Sequence, residues 1–116
     1  MAKFKILIYD DQSFYINATP EAWRGVVEAH GKFREGVFEL GGSLAGGEAL
    51  APAATTIKDG GTRAEGPIIE TGQSLNGYYV IEARDLVHAL AIAKLCPAPG
   101  GGVEVRAVVD PSTNPF

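Results

Sequence analysis

"ATPEAWRGVVEAHGKFREGVFELGG", residues 18–42, is the stretch on which the fold turns. Thr19 is a natural N-cap, Pro20 suits the first helical position and Gly41-Gly42 supply the stop, so a helix is expected from about 20 to 40. On that helix Trp23, Val26, Val27, Phe33, Val37, Phe38 and Leu40 gather on one stripe. Glu21, Arg24, Glu28, Lys32, Glu35 and Glu39 fall opposite. The apolar stripe predicts packing against a sheet. Two residues break it: His30 and Arg34, one turn apart and therefore neighbours on the sheet-facing side.

Working outward, "KFKILIY" (3–9) sets Phe4, Ile6 and Ile8 against Lys5, Leu7 and Tyr9, the alternation of a strand with two unequal faces. Downstream, residues 43–72 are rich in glycine and proline, which predicts short, interrupted strands, with "KDGG" as a hairpin signal between Ile57 and Thr62. "NGYYVIEA" (76–83) reads as a compact strand. "DLVHALAIAKLCP" reads as a second helix, capped by Asp85, closed before Pro97, and packed through Leu86, Leu90 and Ala93, with Val87, Ile92 and Leu95 turned away. "GGVEVRAVV" (101–109) closes the fold as a last strand, and "DPSTNPF" (110–116) is expected to be a loose tail. The order strand, helix, strand pair, strand, helix, strand predicts an α+β, ferredoxin-like βαββαβ plan with an inserted hairpin. Both helices then cover one face of an antiparallel sheet.

Composition narrows the function classes. At 116 residues the chain has room for one core, so a single domain over 1–109 is expected. Ten basic residues against 14 acids give a net charge of -4, and no short stretch is densely basic, so nucleic acid is not an expected partner. The apolar run in "MAKFKILIYDD" is too short for a signal peptide or a membrane span, which predicts a cytoplasmic protein with no membrane partner. The single Cys96 has no internal partner and reads as a small core residue. His30 and His88 sit on different helices without Cys or His at metal spacing, so no metal is expected. "GGEALAPAA" lacks the lysine-serine ending of a phosphate loop, and no cofactor signature is present.

His30 supports two readings. As core filler, its ring would have both nitrogens hydrogen-bonded beside an Arg34 whose stem lies on the core. As a working group, it would meet a carboxylate from the glycine-rich middle, and Arg34 would hold an anion at the cleft rim. The acids available are Glu48 in "GGEAL", Glu65 in "AEGPI" and Glu70 in "IIETG". Gly46-Gly47 would admit backbone or ligand beside Glu48, and Gly66-Pro67 would hold Glu65 at a fixed turn. Tyr78 or Tyr79 would line the pocket.

In the order "ILIYDD", "TPEAW", "AHGKF", "GGEALAP", "EGPIIET", "NGYYVIEARDL" and "GGVEVRAV", the chain resembles the YCII-related family nearly end to end. Within it the likeness is to the branch named for an Asp-Gly-Pro-Phe motif, which here reads Glu65-Gly66-Pro67-Ile68. The resemblance implies a ferredoxin-like fold of the dimeric α/β barrel kind. It implies that the family's histidine-acid pair falls on His30 and Glu65, and a link to extracytoplasmic-function sigma factors. Two functions follow as expectations. One is a small-molecule binder or enzyme, with His30 moving a proton, Glu65 or Glu48 orienting its ring and Arg34 binding charge. The other is a noncatalytic module acting through protein contacts. A homodimer through the sheet face not covered by helices, carrying Leu7 and Tyr9, is expected in either case.

Overall fold

The computed structural model describes residues 1–113. Strand β1 (Ala2–Asp10) runs into a short helix α1 (Gln12–Ile16) and then the long helix α2 (Pro20–Glu39). Strand β2 (Ser43–Ala49), the hairpin strands β3 (Thr55–Ile57) and β4 (Arg63–Glu65), and strand β5 (Ser74–Ala83) follow. Helix α3 (Leu86–Ala93) and strand β6 (Gly102–Ala107) complete the order. The main sheet is β2-β5-β1-β6 with every neighbour antiparallel, and β3-β4 forms a separate two-stranded ribbon. This is a mixed α+β, ferredoxin-like arrangement with a hairpin inserted between its second and third sheet strands.

Local chemistry sets the element ends as the residues suggest. Thr19 Oγ1 accepts the Ala22 N–H at 3.1 Å and Asp85 Oδ1 accepts the His88 N–H at 2.8 Å, capping α2 and α3. The turn between β3 and β4 places Gly60 and Gly61 at φ of 89° and 95°, values that suit a residue without Cβ. The short helix α1 has no periodic signal in the sequence. Its five residues are too few to show a period, and its signal is Asp11, whose side chain accepts from the Ser13 N–H at 2.9 Å.

The core lies between one face of the sheet and the two long helices. Phe4, Ile6 and Ile8 of β1 and Ile81 and Ala83 of β5 meet Phe33 and Val37 of α2 and Ala89, Ile92 and Ala93 of α3. Phe33, 1% exposed, is the largest of the fully buried side chains, and truncating such a residue to alanine costs about 3–5 kcal/mol. Two expectations about helix faces need correction. On α2 only Val26, Phe33, Gly36 and Val37 are buried, while Trp23, Val27, Phe38 and Leu40 are not. The contact stripe is narrower than the apolar one because the N-terminal half of α2 flanks an open cleft. On α3 the buried face is His88, Ala89, Ile92 and Ala93, and Leu86 and Leu90 are exposed. Small alanines let this helix lie close to the sheet, and that close approach turns Ile92 inward and the leucines out.

His88 is a structural residue. It is 5% exposed, its Nδ1 accepts the Arg84 N–H at 3.0 Å, and its Nε2–H donates to Leu40 O at 2.7 Å. One ring thus ties the C-cap of α2 to the corner between β5 and α3. Of the expected loose tail, Asp110 to Thr113 form a turn, with the Asp110 carboxylate accepting from Ser112 N and Oγ at 2.9 and 2.7 Å. Residues 114–116 lie outside the described residues. Among the described residues no helix is long and apolar enough to cross a membrane.

Candidate functional site

α2 carries two adjacent stripes. Val26, Phe33 and Val37 enter the core, while Trp23, Val27, His30 and Arg34, one or two turns apart, form the edge that overhangs β2 and β5. Together with α1 this edge encloses a cleft of about 690 Å³. Its walls are mostly apolar, with Tyr15, Ile16, Trp23, Leu50 and Pro52 around a floor of Ile8, Gly77 and Tyr79. Tyr15 stands edge-on to Trp23, ring centres 5.9 Å apart.

Strand register puts Tyr79 on this floor. It pairs with Ile6 on one side and Gly47 on the other, so its side chain leaves the sheet toward the helices, where its ring packs on Phe33 at 4.6 Å between centroids. Gly47 is needed there, because a Cβ would come within 2.8 Å of both Tyr79 Cδ1 and Tyr78 O. The close approach expected at Gly46-Gly47 is therefore made at Gly47 by the backbone and ring of β5.

The Tyr79 hydroxyl lies 2.8 Å from His30 Nδ1. Burial, and then the positive charge of Arg34, hold the His30 pKa below its ordinary 6.5. Burial pushes Tyr79 up, with the Arg34 guanidinium beside its hydroxyl working in the other direction. At neutral pH the ring is therefore an uncharged imidazole oriented by a phenol; Nε2 carries the proton when the Tyr79 O–H donates to Nδ1, and is an acceptor when Nδ1–H donates to Tyr79 Oη. Arg34 has no carboxylate partner among the described residues. A lone guanidinium at the mouth of an apolar cleft is suited to an anion.

The acids are placed elsewhere. Glu65 is not brought to His30: it sits on the β3-β4 ribbon with its side chain 73% exposed, 2.9 Å from Arg63 Nη2. Two residues apart on one strand, Arg63 and Glu65 share a face, so the carboxylate has a partner in its own strand. Glu48 and Tyr78 pair across β2 and β5 and alternate with Gly47 and Tyr79, which directs their side chains to the open face. There Lys5 Nζ lies 4.6 Å from the centre of the Tyr78 ring. Both residues reach the cleft rim, but of the residues singled out in the sequence the structure joins only His30, Arg34 and Tyr79 in one cluster.

A further acid, Asp10, lies in the core beside the cleft wall. Asp10 is fully buried, and its carboxylate accepts from Tyr15 Oη at 2.8 Å, from Asp11 N at 2.8 Å and from Gly100 N. The signal was available, since Asp10 continues the inward parity of Phe4, Ile6 and Ile8. It fixes Tyr15 in the cleft wall, and burial with this hydrogen bond raises the Tyr15 pKa. Cys96 is buried too, its thiol pushed up to about 12 by desolvation, so it remains protonated. No group of three His, Cys, Asp or Glu among the described residues could hold a metal ion.

The family model of the YCII-related domain matches residues 2–112, and the chain belongs to that family. No curated protein matches the chain.

Proposed function

We propose that this member of the YCII-related family binds a small anionic molecule with an apolar body in the cleft between α2 and the sheet. The observation that carries this reading is His30 held by the Tyr79 hydroxyl beside Arg34, which has no carboxylate partner among the described residues, under apolar walls. Arg34 holds the anionic group, the aromatic walls hold the body, and His30 Nε2 faces the molecule as a hydrogen-bond partner or proton acceptor. Tyr79, rather than Glu65 or Glu48, orients the ring. Any proton His30 accepts raises a positive charge beside Arg34, so turnover by this route draws on the anion to offset that repulsion.

Trp23 is the single tryptophan and lies in the wall, so its fluorescence reports occupancy. Titration with 3-phenylpropanoate is expected to quench it saturably, and Arg34→Gln to weaken binding about tenfold or more, the worth of one charge-assisted hydrogen bond. No saturable change in the parent protein would overturn the reading. A second reading, a noncatalytic interaction module of the kind linked to extracytoplasmic-function sigma factors, draws on Phe38 and Val87. These stand 79% and 77% exposed on the outer helix layer. Under it Phe38→Ser abolishes partner capture while Arg34→Gln leaves it unchanged.

A further inference from the structure

β5 carries a bulge where it lines the cleft. Ile8 pairs with Gly77 but Tyr9 with Leu75, so Asn76 is the extra residue, without a partner on β1. A bulge takes its extra residue out of strict alternation and re-aims the side chain. Asn76 thereby joins the cleft wall next to Gly77, which has no side chain to compete. Its backbone carbonyl accepts the Leu50 N–H at 2.9 Å and its Oδ1 accepts Ser74 Oγ at 3.2 Å. Its Nδ2 is sealed from water and completes no hydrogen bond among the described residues, with the Tyr15 hydroxyl as the neighbouring acceptor. A buried donor left this way costs about 1–3 kcal/mol, which an acceptor at that point would recover.

We propose that Asn76 is a specificity-determining contact that donates from Nδ2 to a neutral oxygen acceptor at the inner end of the ligand. The inference rests on the cleft reading above, in which Arg34 takes the anionic end. Asn76 and Tyr79 lie three residues apart along β5, a span of about 10 Å. The ligand class is then an elongated molecule with a carboxylate at one end, a flat apolar middle against Trp23 and Tyr15, and a carbonyl oxygen at the other. Because Nδ2 is sealed from water while Asn76 lines the cleft, the acceptor reaches it by side-chain rearrangement, of the kind common on binding.

The test compares 3-phenylpropanoate with 3-(4-acetylphenyl)propanoate by Trp23 fluorescence. In the parent protein the ketone is expected to bind about three- to tenfold tighter, the worth of one buried hydrogen bond. Asn76→Asp, which keeps the shape but replaces the donor with an acceptor, and Asn76→Ala should both erase that gain. The gain is read as the ratio of the two affinities within each variant, so a general effect of the substitution on the cleft cancels. Equal binding of the two acids by the parent protein overturns the role of Asn76 while leaving the cleft reading standing. A ketone gain that survives both substitutions overturns it as well. Binding of neither acid overturns both.

Discussion

His30 and His88 divide between them the two roles open to a histidine in an amphipathic helix. His88 has both nitrogens bonded to backbone and holds two helix ends together, whereas His30 has one nitrogen on Tyr79 and lines the cleft. His88→Ala is expected to cost about 2–4 kcal/mol, from lost packing and an unpaired carbonyl and amide. His30→Gln should cost less than about 1 kcal/mol. Thermal melts that reverse this order would exchange the two assignments. Because the folded pKa of His30 lies below 6.5, the unfolded chain takes up the proton first as pH falls through that value. The fold therefore loses stability on acidification from about pH 6.5 down to the folded pKa, and His30→Gln should flatten that slope. In a proton NMR titration Arg34→Gln should raise the His30 pKa, and Glu65→Gln should leave it unmoved. A shift on Glu65→Gln would restore the carboxylate pairing. The sequence showed His30 as an exception in its stripe, but its partner lies 49 residues away. Which side of the sheet Tyr79 takes depends on register, and single-chain spacing does not carry that.

At the level of elements, what was legible were the pieces whose ends have their own chemistry. α2 and α3 begin at the capping residues the sequence offers, and β1, β5 and β6 follow their alternation. Harder to read were features set by contact: which of several apolar stripes meets the sheet, and the bulge at Asn76, where alternation alone assigns the wrong face. The approach to β6 is another such feature. A Cβ on Gly101 would overlap Tyr9 O and Gln73 Oε1, and a backbone atom cannot swing aside as a side-chain tip can. Gly101→Ala is expected to destabilise by about 1–3 kcal/mol, read as a lower midpoint in urea with unchanged slope. A midpoint equal to that of the parent protein would show that β6 has slack the structure does not suggest.

For the whole molecule, the sheet face away from the helices presents Leu7, Tyr9, Tyr78 and Val80 among Lys5, Glu48 and Glu104. We propose that a second copy covers it. An uncovered sheet with large apolar side chains favours pairing, and interleaved charges of both signs suit a self-complementary interface. Light scattering is expected to return twice the 12.2 kDa chain mass at micromolar concentration, and the single-chain mass would refute the dimer. Glu48 and Tyr78 belong both to this face and to the cleft rim, so the mass is measured with and without 3-phenylpropanoate. The most direct test of the cleft records the ring resonances of both histidines in the intact protein as 3-phenylpropanoate is added. Saturable movement of His30, with its pKa rising beside the bound carboxylate and His88 unmoved, is the expected result. A His30 resonance that stays in place, or that moves only together with His88, would contradict a binding site at His30.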